Sequence, residues 1–303
     1  MKVSALSTAF QSVKANHGCA GVDGVTIGQF EHHLDANLFA LSEELRRKTY
    51  FPLPLMKIQV AKKNGEPRGL CIPAVRDRVL QKSMLNLIEP VVEKEFETCS
   101  FAYRKGRSVK QAVYKIKEYY DKGYRYVVSA DIDAFFDTVD HELLLKKFRD
   151  VVAAPNIRRL VELWVKAEVW DGTTLSVIEK GIPQGSAISP ILANLFLDEL
   201  DEEMLQKGFK FIRYSDDFVI LCKSPKTAAQ ALELTEHVLE KLLLELDEKE
   251  IVSFDKGFKF LGVVFLKSMI MKPFEVQQKH RKILAYPGPF NLNAYLLKKK
   301  KGW

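Results

Sequence analysis

The sequence predicts a soluble α+β fold of two packed units, and three observations carry that expectation. At 303 residues the chain sits at the size where single cores give way to two. Helix-periodic segments are interleaved with short strand-like apolar runs. Two of those runs end in acids, at Asp131 and at Asp216-Asp217.

Along residues 35–48, Leu38, Leu41 and Leu45 recur at helical spacing among charges, and the pattern stops before Phe51-Pro-Leu-Pro. Residues 55–60 alternate like a strand. Asn64-Gly65 supplies turn chemistry, and residues 69–72 form a second strand, so a basic hairpin with Lys62 and Lys63 at its tip is expected. The run 76–96 reads as a helix that Pro90 should break or kink. Ser108 is a natural N-cap for a helix over 109–120. Beyond Gly123, residues 126–131 form a buried-strand run, and Asp140 opens a helix with an acidic first turn. Residues 161–169 look helical, Asp171-Gly172 turns the chain, and an apolar helix spans 190–205. Residues 209–214 and 218–222 form a hairpin with Ser215-Asp216-Asp217 at its tip. An amphipathic helix over 227–246 and a strand over 258–266 follow.

Composition narrows the function classes. No stretch approaches the roughly 18 consecutive apolar residues of a membrane span, and the N-terminus carries no secretory pattern, so a cytoplasmic protein without a membrane partner is expected. Four cysteines without a C-x-x-C pair and six dispersed histidines offer no zinc spacing. The 46 Lys and Arg against 39 Asp and Glu give a net charge of +7, which suits a polyanionic partner without establishing one. The Lys298 to Lys301 run reads as a solvated tail.

Carboxylates inside apolar runs are costly unless they pair or bind a cation. If the strand ending at Asp131 lies beside the hairpin carrying Asp216 and Asp217, three carboxylates converge as hard oxygen ligands. The competing reading of Asp216-Asp217 alone is a solvated hairpin tip. Its surroundings decide between them. Arg213-Tyr-Ser-Asp-Asp-Phe218, preceded by Gly181-Ile-Pro-Gln-Gly-Ser and by Asp131-Ile-Asp-Ala-Phe-Phe-Asp137, resembles the ordered sequence blocks of reverse transcriptases. The resemblance covers about residues 50–265.

That resemblance implies a right-hand polymerase: fingers over 1–122, a palm over 123–266 with part of 140–180 packing against the fingers, and a short basic tail over 267–303. It implies an RNA-directed DNA polymerase that uses two Mg2+ ions, with Mn2+ as a substitute, held by Asp131, Ile132, Asp216 and Asp217. Phe136 falls where the family has an aromatic steric gate, against the alternative of a core aromatic. Gln184 and Gly185 match the residues at the incoming nucleotide, against that of a plain turn. Arg68 matches the arginine that grips the triphosphate, with Lys62 beside it, against that of a solvated basic hairpin. Arg76, Arg78, Arg104, Lys105 and Arg107 match blocks near the template-primer backbone, with local salt bridges an equal alternative for each arginine. Gly262 matches the element under the primer terminus.

The overall pattern is similar to bacterial enzymes related to group II intron reverse transcriptases. Cys99-Ser-Phe-Ala-Tyr-Arg-Lys-Gly-Arg-Ser108, Leu197-Asp-Glu-Leu-Asp-Glu202 and Phe254-Asp-Lys-Gly-Phe-Lys-Phe-Leu-Gly262 resemble the branch associated with CRISPR adaptation. An RNA template, a DNA or RNA primer, deoxynucleoside triphosphates and a CRISPR integrase complex are the implied partners. The alternatives are a reverse transcriptase of another defence or diversity-generating system, and a polymerase-like binding module. Two departures stand out. Ser215 replaces the family's usual alanine, and the 38 residues after Phe265 are fewer than the roughly 45 that three average helices need. A reduced or absent thumb, supplied by a partner protein or RNA, is the expectation.

Overall fold

The computed structural model describes residues 1–61, 67–271, 283–285 and 287–301. The chain opens with helices α1 (Val3–Ala15), α2 (Ile27–His32) and α3 (Leu34–Arg46). A capping box starts α2: Thr26 accepts from the Gln29 amide while the Gln29 side chain accepts from that of Thr26. Strands β1 (Leu55–Ala61) and β2 (Pro67–Ile72) pair antiparallel, Met56 opposite Ile72 and Ala61 opposite Pro67. The tip between them, with Lys62, lies outside the described residues. Helix α4 (Val75–Val92) runs through Pro90 instead of breaking there and ends two residues beyond it.

Helix α5 (Val109–Asp121) begins at Ser108, whose Oγ accepts from the Gln111 amide. Next come β3 (Tyr126–Ile132), the single turn α6 (Phe135–Thr138), α7 (His141–Val151) and α8 (Pro155–Val165). The helix expected to continue to residue 169 stops at Val165. Residues beyond it form β4 (Glu168–Trp170), which pairs with β1 in parallel and with β5 (Leu175–Val177). Helix α9 (Ser189–Gln206), strands β6 (Lys210–Tyr214) and β7 (Asp217–Cys222), helix α10 (Pro225–Lys241) and strand β8 (Leu246–Ser253) complete a four-stranded antiparallel sheet ordered β6-β7-β3-β8. The single strand expected over 258–266 is two, β9 (Phe258–Phe260) and β10 (Val263–Leu266), followed by β11 (Met269–Met271). Leu261 and Gly262 both have positive φ, +52° and +72°, as a type I′ hairpin turn requires.

Both faces of the central sheet are covered, which explains the unbroken apolar runs of β3, β6 and β7. Val128, Ala130, Phe218 and Ile220 belong to a large core shared with α9 and α10, and this core reaches α1, α3 and α4. The two expected units therefore share one hydrophobic interior. Val127, Ile212, Val219 and Leu221 face the other way, against α5 and the phenylalanines of β9 and β10.

The C-terminal segment carries a strand and a helix. Strand β12 (Ile283–Ala285) adds to β1, with Gln59 opposite Ala285, and α11 (Leu292–Lys301) follows. Tyr295 is buried and its hydroxyl donates to Glu168 Oε2 at 2.7 Å, while the Trp170 indole donates to the Gly288 carbonyl at 3.0 Å. Aromatic side chains spaced along this segment dock it on the first hairpin. Among the described residues no helix is long and apolar enough to cross a membrane.

Candidate active site

The three aspartates meet at one end of the four-stranded sheet. The β3–β7 register ends with Ala130 opposite Phe218, so Asp131 follows opposite Asp217. On its other side β3 slips register against β8 between Ala130 and Ile132, a bulge that leaves Asp131 exposed between two buried neighbours. Tyr214 and Asp217 close the β6–β7 hairpin around Ser215 and Asp216. Ser215 takes φ +67° and Asp216 does not have a positive φ, the pattern of a type II′ turn.

A side chain at the first position of such a turn is strained, and the fold holds it from below. Arg213, fully buried, donates to the Ser215 carbonyl and to Asn194 Oδ1, each at 3.0 Å, and forms a two-pronged ion pair with Asp201 of α9. Asn194 in turn donates to the Ala102 carbonyl at 2.8 Å. Sequence reasoning missed this network; an arginine inside an apolar strand was its available signal.

The acids repel one another. Burial and then the Asp216 charge push Asp131 up to about 6, and burial, Asp131 and Asp216 push Asp217 up to about 7. Carboxylates of this kind are hard oxygen donors suited to a divalent cation, and Asp131, Asp216 and Asp217 are the side chains here that could hold one. Among the described residues no three His, Cys, Asp or Glu side chains converge tightly enough to hold a metal unaided. Mg2+ sites characteristically use one or two carboxylates plus substrate oxygens and water, so the donor set is compatible with an ion that arrives with nucleotide.

In front of the acids lies a cleft of about 1030 Å³. Asp131, Ile132, Asp216 and Asp247 line it together with Lys57, Arg68, Gln184 and Phe136. Arg68 Nε donates to Gln184 Oε1 at 2.5 Å, which joins the first hairpin to the segment before α9. That segment is fixed at both ends. Gly181 (φ +86°) lies so near α6 that a Cβ would sit 2.5 Å from the Phe136 carbonyl, which accepts from the Ile182 amide at 2.7 Å. His141 Nε2 is hydrogen-bonded to the Gly181 carbonyl at 2.7 Å. At Gly185 (φ +115°) a Cβ would sit 2.6 Å from the Cys71 carbonyl, and the Cys71 amide donates to the Gln184 carbonyl at 2.7 Å.

Phe136 keeps 9% of its surface exposed and meets Phe135 edge-on at 5.3 Å, while Phe135 is wholly core. Lys57 and Asp247 went unnoticed in the sequence. Lys57 is the one exposed position of β1, visible only once its alternation is known.

The remaining basic candidates lie away from this wall. Arg76 pairs with Glu44 and stacks on Tyr50, and Arg78 donates to the Cys19 carbonyl. Arg104 is buried and bonded to Glu93 and to the carbonyls of Phe96, Glu97 and Ser100, so the salt-bridge alternative describes it. Lys105 is exposed, and Arg107 donates to the Thr98 carbonyl above the Phe101 ring. Nothing in the structure occupies the space that a Cβ on Gly262 would fill; its positive φ accounts for the glycine.

The family described as reverse transcriptase (RNA-dependent DNA polymerase) matches residues 60–265. Protein YkfC of Escherichia coli (strain K12) is 34% identical over 283 residues, covering 80% of this chain and 74% of that protein. The group II intron-encoded protein LtrA of Lactococcus lactis subsp. cremoris is 30% identical over 210 residues, 69% of this chain and 35% of LtrA. A chain of a partial Cas6-RT-Cas1–Cas2 complex is 27% identical with a TM-score of 0.48, over 78% of this chain and 41% of that one. The chain thus spans about a third of LtrA and less than half of the chain in that complex.

Proposed function

The chain belongs to the reverse transcriptase family, and from that premise we propose that its cleft adds deoxynucleotides to a primer 3′ hydroxyl opposite an RNA template. The observation that carries this reading is the cleft itself, which Asp131, Asp216, Phe136 and the hydrogen-bonded pair Arg68 and Gln184 line together. The primer hydroxyl attacks the α-phosphorus of the incoming triphosphate, its oxygen forms the new bond, and pyrophosphate leaves. Asp131, Asp216 and Asp217, with the Ile132 backbone, would hold two Mg2+ ions, for which Mn2+ could substitute. Those ions, when bound, lower the pKa of the attacking hydroxyl and neutralise the leaving group. Arg68, with Lys62, binds the triphosphate and releases Gln184 to the nucleotide. Phe136 closes against the 2′ position and excludes ribonucleotides.

In this reading residues 1–122 act as fingers and 123–266 as palm. The sequence blocks at 99–108, 197–202 and 254–262 support an assignment to CRISPR spacer acquisition from RNA, alongside an integrase complex. Reconstitution with the integrase of the same locus tests it: spacers derived from RNA in the array are expected, and acquisition that is indifferent to this chain rejects the assignment.

Extension of a primed RNA template tests the enzymatic reading. Asp216→Ala should abolish extension while leaving duplex binding within about twofold. Extension at the wild-type rate by Asp216→Ala would remove the assignment, and full biological function of the inactive variant would favour a binding module instead.

A further inference from the structure

Strand β1 is paired on both edges, and the far end of the chain supplies part of that pairing. Strand β2 takes one edge, from Met56 opposite Ile72 to Ala61 opposite Pro67. Strand β4 takes the other edge only at its start, with Leu55 opposite Val169 and Met56 opposite Trp170. Further along that edge the C-terminal segment takes over, with Gln59 opposite Ala285 and Val60 opposite Ile283. Val60 also stands opposite Arg68. Ile283, Val60 and Arg68 therefore form one row across three strands, and the row ends at an arginine that lines the cleft.

The first hairpin draws its core from the same segment. Met56, Ile58 and Val60 are buried together with Tyr295, and Phe290 and Leu296 pack against them, in a hydrophobic group apart from the large core. A two-stranded hairpin is marginal by itself, so its position depends on what covers it.

Three contacts fasten the segment to β4 and the turn after it. The Tyr295 hydroxyl donates to Glu168 Oε2 at 2.7 Å, and Lys299 pairs with the same oxygen at 3.1 Å. The Trp170 indole donates to the Gly288 carbonyl at 3.0 Å, and its ring packs at a tilt on Phe290 with centres 5.2 Å apart. At Gly172 a Cβ would sit 2.8 Å from the Gly288 nitrogen and 2.9 Å from Pro287 Cα, so the segment crosses the β4–β5 turn in backbone contact. Glu168 and Trp170 belong to β4, which itself pairs with β1. The segment thus holds both strands at their junction.

We propose that the C-terminal segment, residues 283–301, is a strap that fixes the first hairpin, with Tyr295 and Trp170 as positioning residues that hold Arg68 in place for the incoming triphosphate; the functional half of this rests on the polymerase reading. A cation that grips phosphates binds well only where its strand is held in register. Loosening the strap lets β1 and β2 shift together and weakens nucleotide binding, while the aspartates on β3 and the β6–β7 turn stay where they are. The consequence is a rise in nucleotide KM at constant kcat. A merely structural role gives the opposite pattern, because a smaller folded fraction lowers apparent kcat and leaves KM alone.

Steady-state primer extension and amide hydrogen exchange on the full chain test it together. Tyr295→Ala should raise nucleotide KM by at least about fivefold with kcat within about twofold, and should speed exchange across residues 55–61 by roughly fivefold or more. Tyr295→Phe with Trp170→Phe keeps both rings and loses both hydrogen bonds; it should move both readouts the same way, and it serves if Tyr295→Ala does not fold. Glu168→Gln keeps an acceptor for Tyr295 and loses only the Lys299 ion pair, so it should stay within about twofold of wild type in both. Leu6→Ala, a cavity in the large core, should leave KM unchanged. Exchange across 55–61 unchanged in the Tyr295 variants, or faster exchange with KM unmoved, overturns the proposal. Failure of the wild-type protein to extend a primer rejects the polymerase reading separately, and exchange then decides alone whether the strap holds the hairpin.

Discussion

The guanidinium of Arg213 donates to the backbone carbonyl of Ser215, two residues along the same chain, from a position with no solvent exposure. The contact ties the left-handed turn that carries Asp216 to Asp201 and Asn194 of α9. Arg213 is thus a positioning residue for the carboxylates and does not itself reach the cleft. Arg213→Lys keeps the charge but loses the fork that bonds three partners at once. The expected result is a fall in kcat of tenfold or more for primer extension, with KM for nucleotide little changed, and a loss of about 1–3 kcal/mol in stability. Arg213→Met, which strands Asp201, should cost about 3–5 kcal/mol. Steady-state kinetics and denaturant melts separate the two effects.

Ser215 itself offers the opposite outcome. Its hydroxyl is buried and has no hydrogen-bond partner among the described residues. Removing an unsatisfied buried group recovers its desolvation cost, so Ser215→Ala should stabilise the protein by up to about 1 kcal/mol and keep extension activity. A melt of this variant below wild type would show that the hydroxyl has a role in the turn.

The glycines of the segment before α9 are expected to be intolerant for a geometric reason. At Gly181 and Gly185 a methyl group meets backbone carbonyls at 2.5 and 2.6 Å, and both residues have positive φ. Gly181→Ala or Gly185→Ala should destabilise by roughly 1–3 kcal/mol and displace Gln184 or the α6 turn. Nucleotide KM rising more than tenfold in Gly185→Ala, with smaller change at the control site Gly208, where a Cβ meets nothing, is the measurable consequence.

How much was legible in the sequence follows from burial. Strands β3, β6 and β7 are covered on both faces and read directly as apolar runs, and the three aspartates at their ends were identified with them. Strand β8 was not anticipated, because Asp247, Glu248, Lys249 and Glu250 are exposed on a charged edge strand and leave no apolar signal. Strand β4 was read as helix because its three residues take their structure from pairing with β1. The docking of residues 283–301 on β1 depends on Tyr295, Trp170 and Glu168, far apart in the chain, and no local pattern announces it. Lys57 was likewise invisible as a site residue until the register was known, whereas Arg213 left one signal that went unread, an arginine inside an apolar strand. Arg68, Gln184 and Phe136 were legible only through the resemblance, since each alone has a plain structural reading.

Asp198 supplies a pH test of the network under the β6–β7 hairpin. It is buried on α9 with Oδ1 unpartnered among the described residues, and burial, then the charges of Asp201 and Glu202, push its carboxyl up to about 7 despite Arg213 and the Glu97 amide. A folded pKa above the unfolded value of about 3.9 means that the folded state binds the proton more tightly. The corresponding stability is therefore full below about pH 4, declines as pH rises towards 7 and stays lost above it. Asp198→Asn resembles the protonated form and lacks this dependence. The variant should match wild type at pH 4 and exceed it by about 1–3 kcal/mol at pH 8, with the gap opening between those values. Urea melts across that range check it, and a gap that is constant with pH would show that Asp198 is not the titrating group.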